Sequence, residues 1–114
     1  MNMDNNKIKS LTQPMYYILL SLKEKRHGYE IMQYVEWLTE GRVKIGPGTL
    51  YSLLSRFEEA GYIEMISDKD NKKVYLIKTL GEEILDGEIQ RLRLLIKDAE
   101  MVQGGNEHEF QNRK

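Results

Sequence analysis

The chain has 114 residues, 40% of them hydrophobic, enough for one modest core and too few for two ordinary domains. It contains no cysteine, which excludes disulfides, thiolate zinc sites and cysteine nucleophiles together and favours a reducing, cytoplasmic setting. With 17 basic and 18 acidic residues the net charge is −1, so any anion-binding face must come from local clusters such as Lys7 with Lys9, or Lys69 with Lys72 and Lys73.

Residues 1–11 are rich in Asn and Lys, lack apolar periodicity and read as a flexible arm. The longest apolar stretch near the start, residues 15–20, follows this polar segment, so neither a signal peptide nor a membrane span is expected. Thr12 is a plausible cap for a first helix, Pro14 is tolerated in its first turn, and Met15, Ile18, Leu19 and Leu22 recur at helical spacing. Residues 23–28 form a polar break. A second helix is predicted over residues 29–38, with Ile31, Tyr34, Val35 and Leu38 on one face, and Thr39, Glu40 and Gly41 end it. Residues 43–45 read as a short β-like piece before Gly46-Pro47-Gly48. A third helix starts at Pro47, and its Leu50, Leu53, Leu54 and Phe57 fall at i, i+3, i+4 and i+7; Gly61 closes it.

Two short β-branched or aromatic runs, residues 62–66 and 74–77, flank the polar residues 67–73 and predict a hairpin with a mobile tip. Thr79 and Glu82 have capping-box spacing and open a helix that runs to about Val102, where Gly104-Gly105 stops it. The acidic run Glu82, Glu83, Asp86 and Glu88 suits the start of this helix and its dipole. Residues 104–114 read as a disordered tail.

The order of elements predicts a mainly α fold with a small β-hairpin wing. Residues 12–78 form a winged helix-turn-helix, and residues 79–103 form a long C-terminal helix. Along that helix Leu85, Ile89, Leu92, Ile96 and Ala99 are spaced as a heptad seam that Leu95 widens, which predicts a homodimer interface. The plainer alternative is that the helix folds back on its own core.

The candidate reading surface is the third helix. With its apolar stripe inward, Gly48, Ser52 and Ser55 point outward, flanked by Thr49, Tyr51 and Arg56. Small residues allow close approach to base edges, hydroxyls bond phosphates or bases, and Arg56 can fork onto a guanine. The hairpin supplies Lys69, Asn71, Lys72 and Lys73 as backbone contacts. Double-stranded DNA is therefore the expected partner. A protein-interaction winged helix without specific DNA binding is the alternative, but such a surface should expose apolar side chains where this one exposes Gly, Ser, Thr and Arg.

No Ser/His/Asp, phosphate-loop or metal-ligand constellation is present in the sequence, so neither an enzyme nor a cofactor is expected. His27 reads as a capping or packing residue rather than a ligand, and His108 falls in the tail. Trp37 lies off the main stripe of the second helix. Packing against the long helix is its plainer role, and lining a ligand pocket is the other.

The stretches His27-Gly28-Tyr29-Glu30-Ile31, Pro47-Gly48-Thr49-Leu50-Tyr51, and Arg56-Phe57-Glu58 with Gly61-Tyr62-Ile63, taken together, resemble the signature stretches of the PadR family of bacterial transcription regulators. The resemblance covers residues 14–100. It implies a winged-helix homodimer on palindromic operators, commonly a repressor, and in several members release from DNA by a small aromatic or drug-like effector. Two positions depart from the family pattern. The wing tip lacks the frequent glycines, and Leu92 stands where some drug-binding members place a tryptophan.

Overall fold

The computed structural model describes residues 10–113, in which helices α1 (Gln13–Ser21), α2 (Gly28–Leu38), α3 (Pro47–Ala60), α4 (Thr79–Gln103) and α5 (Glu107–Asn112) surround a three-stranded antiparallel sheet. Most of the predicted arm, with Lys7 and Lys9, lies outside the described residues. Its last residue, Leu11, is buried in the core rather than free.

Helix α1 starts as expected. The Thr12 hydroxyl accepts from the Met15 N–H at 3.3 Å, and the Thr12 N–H reaches the Met15 sulfur at 3.5 Å, so the cap is reciprocal. Its Met15, Ile18 and Leu19 enter the core beside Leu22, and the buried Ser21 hydroxyl donates to the Ile18 carbonyl at 2.7 Å. Helix α2 begins at Gly28 because His27 caps it: the His27 Nδ1 accepts from the Glu30 N–H at 3.5 Å, and the Glu30 carboxylate accepts from the His27 N–H at 3.0 Å. The capping role expected for His27 is therefore the one it plays.

Two elements differ from expectation in the sheet. Residues 43–45 form no strand; Val43 and Ile45 simply bury their side chains while Thr39 accepts the Val43 N–H at 3.1 Å. The third strand comes instead from the polar break, as β1 (Arg26–His27), which pairs with β3 (Lys72–Ile77) through Arg26 opposite Tyr75 and His27 opposite Val74. A two-residue strand of Arg and His has no hydrophobic alternation, so periodicity could not mark it.

The hairpin is longer and tighter than a seven-residue tip implies. Strand β2 (Ile63–Lys69) pairs with β3 down to Lys69 opposite Lys72, leaving only Asp70 and Asn71 in the turn, both with φ near +55° to +59°. That is the geometry of a two-residue primed turn, which Asn and Asp tolerate better than other side-chain-bearing residues. A bulge between Met65 and Ser67 bends β2.

Helix α4 is capped by the backbone of Lys78, not by the expected Thr79, which is already helical and makes no side-chain cap bond. The helix is fastened to the core through its first three turns only. Gly81 lies so close to the hairpin that a Cβ there would collide with the Tyr62 carbonyl, and Leu85 is wholly enclosed. From Arg93 onward every residue of α4 is exposed, and the helix projects from the domain, giving overall dimensions of 65 × 43 × 21 Å. Beyond it the predicted tail folds in part, as the short helix α5.

Candidate nucleic-acid interface

Helix α3 presents two faces with opposite chemistry. Leu50, Leu53, Leu54 and Phe57 are buried, and Gly48, Thr49, Tyr51, Ser52, Ser55 and Arg56 are exposed. The division follows from the 3.6-residue period and the fixed start at Pro47, with Gly61 at φ +82° turning the chain into β2. Residues 47–56 contain no carboxylate, so Arg56 lies at the end of a stretch carrying only neutral side chains and its own charge.

The wing stands beside this face. Lys69, Asn71, Lys72 and Lys73 are all exposed, and Lys69 and Lys72 are cross-strand neighbours. Like charges placed opposite each other in a ladder repel, a cost that a polyanion lying along the hairpin would relieve. Helix α3 and the wing wall a cleft of about 650 Å³ whose lining also includes His27, Gly28 and Tyr29 at the start of α2. Tyr75 lies buried in its wall. Burial pushes the Tyr75 phenol up, and Glu58, Tyr51 and Asp68 push it the same way, so it stays a neutral donor.

The expected dimer seam divides in two. Leu85, 1% exposed, belongs to the chain's own core and is not available to a partner. Ile89 packs against that core while half-exposed, so the fold-back alternative holds for the first turns of α4. Leu92 is half-buried, whereas Leu95, Ile96 and Ala99 are exposed, Ile96 by 58%. Tyr16 of α1 joins Ile89, Leu92 and Ile96 along a shallow groove of about 450 Å³.

Trp37 is 70% exposed, so it is not packed into α4 of its own chain. Its ring lies 5.6 Å from that of Tyr34, over which the Arg26 guanidinium stacks at 3.9 Å.

Glu88 also departs from expectation. It is not a solvating member of the acidic run but a buried carboxylate, gripped by Arg91 through bonds of 2.6 and 3.0 Å. Its position i−3 from an arginine was the signal in the sequence, and its depth depended on where α1 crosses α4.

Among the described residues no helix is long and apolar enough to cross a membrane. Residues 18–86 match the Transcriptional regulator PadR-like family. A transcriptional regulator from Clostridium thermocellum has a similar structure, with a TM-score of 0.64, 26% identity and coverage of 74% of this chain and 86% of that one. RosR of H. salinarum, at 20% identity, shares the fold with a TM-score of 0.57 over 81% of this chain and 96% of its own. A Lysinibacillus sphaericus protein called Uncharacterized protein X is 36% identical over 70 residues, which is 58% of this chain and 64% of that protein, a little under two thirds of its length. The match of more than half the chain, on a fold of helices and wing in the expected order, establishes that this protein belongs to the PadR-like family of transcriptional regulators, a family of regulators rather than enzymes.

Proposed function

We propose that this protein is a sequence-specific DNA-binding regulator that acts in the bacterial cytoplasm as a homodimer on a palindromic operator and represses the genes beside it. One observation carries the reading: α3 buries its whole apolar stripe and exposes toward its N-terminal end only small or hydrogen-bonding side chains, flanked by Arg56 and by the lysines of the wing. An interaction surface would keep apolar groups there.

Helix α4 supports the dimer. Leu92, Leu95, Ile96 and Ala99 continue the heptad spacing beyond the core, and a symmetric pairing of this stripe covers it in both copies. Two α3 helices about 34 to 36 Å apart then read half-sites one turn of DNA apart, which makes the operator palindromic. The groove that Tyr16 forms with the seam residues Ile89, Leu92 and Ile96 supports release by a small aromatic or drug-like effector lodged where the partner helix packs.

Paired substitutions test the division of labour. Arg56→Ala is expected to cost about 1 to 3 kcal/mol on the operator and little on random duplex, as loss of a base contact does. Lys72→Ala is expected to weaken both duplexes alike and to reduce the salt slope by about one unit. Equal effects of Arg56→Ala on operator and random DNA would remove α3 as the reader.

A further inference from the structure

We propose that the cleft between α3, the start of α2 and the wing seats a phosphate of the DNA backbone, and that Tyr29 is one of its donors. This rests on the reading of the α3 and wing face as a DNA surface, and adds to it a ligand group and a residue that helical periodicity does not pick out.

The placement follows from geometry. With a recognition helix in a major groove and a wing over the neighbouring minor groove, the strand separating those grooves runs between helix and wing. The cleft occupies that position, and at about 650 Å³ it has room for a phosphodiester with its flanking sugars. Lys72 and Lys73 of the wing, Tyr51 and Ser55 of α3 and Tyr29 of α2 line it, and no carboxylate does. Neither lysine has an ion pair among the described residues, and the Tyr29 and Tyr51 hydroxyls make no hydrogen bond there. Cations and phenol donors left unpaired along a lining that holds no carboxylate, with Glu58 and Asp68 behind it near Tyr75, match a monoanionic diester, which accepts charge-assisted hydrogen bonds.

Tyr51 is held in place by Gly28. A Cβ at residue 28 would stand 2.5 Å from the Tyr51 hydroxyl oxygen and 2.9 Å from the ring carbon bearing it. Glycine there lets the Tyr51 ring lie against the first turn of α2, and Tyr29, the next residue, lines the same cleft. The Tyr29 side chain is 61% exposed and the Tyr51 side chain 52%, so both reach solvent from a fixed base.

The test is fluorescence anisotropy with wild type and Tyr29→Phe on a selected operator and a random duplex, repeated on operators in which single phosphates are replaced by neutral methylphosphonates. Failure of the wild type to bind either duplex would sink the DNA reading itself. Given binding, Tyr29→Phe is expected to weaken both duplexes by the same factor, about two- to tenfold. At one phosphate per half-site, neutralisation should cost the wild type a similar factor and the variant less. The proposal is overturned if Tyr29→Phe binds as tightly as wild type, if its loss is confined to the operator, or if the methylphosphonate losses are the same in both proteins at every position. Since Tyr29 is exposed, the variant keeps the fold, which its circular dichroism verifies.

Discussion

Glu88 shows how one buried charge ties two parts of the chain together. Arg91 forks onto its carboxylate and holds it below the usual carboxylate range, and a bond from the Leu11 backbone acts in the same direction. The start of the domain is thereby fastened to α4. Because the folded state lowers this pKa, the stabilisation is complete above the ordinary carboxylate range, about pH 4 to 5, and is lost as pH falls through the lowered value. Glu88→Gln is expected to lower stability at neutral pH by about 1 to 2 kcal/mol, less than for a fully buried pair, because the Arg91 side chain is 45% exposed. Urea unfolding at several pH values should show the gap between wild type and variant closing on acidification. A gap independent of pH would mean that the ion pair contributes nothing through charge.

At the scale of elements, the joint between hairpin and α4 decides where the long helix leaves the core. Gly81 packs against the Tyr62 backbone and Ile77, whereas Gly87 has open space around it. Gly81→Ala is therefore expected to destabilise by about 2 to 3 kcal/mol through overpacking, and Gly87→Ala to stabilise by up to about 1 kcal/mol through helix propensity. Urea midpoints check both, and a tolerated Gly81→Ala would show that α4 is not clamped there.

The elements also mark what the sequence could show. Helices α1 to α4 were legible because each carries apolar residues at 3.6 spacing between recognisable breaks, and the exposed face of α3 followed directly. Strand β1 was not, since its pairing depends on where β3 arrives. Within the expected hairpin, residues 67–73 read as a loop because they are polar and, apart from the half-buried Ser67, exposed, so alternation is missing. Leu85 illustrates the remaining difficulty. A heptad pattern cannot say which of its positions face the chain's own core and which face a partner, and Gly28 and Tyr29 join the candidate site only because Tyr51 packs against Gly28 and Tyr29 lines the same cleft.

For the whole molecule, the proposed dimer rests on the projecting half of α4. Leu92, Leu95 and Ile96 are expected to lose most from exposure, so Leu92→Asp, Ile96→Asp should sediment as a monomer while the wild type sediments as a dimer. An unchanged mass in the double variant would place the interface elsewhere. The monomer should also bind operator far more weakly, since each half-site then contributes alone. The central claim, that α3 and the wing together read DNA sequence, is tested most directly by titrating a duplex selected from a random pool against a random duplex at several salt concentrations. A preference of at least about a thousandfold for the selected site is expected, with a steep fall of both affinities with salt. Equal affinity for the two duplexes at every salt concentration would contradict it.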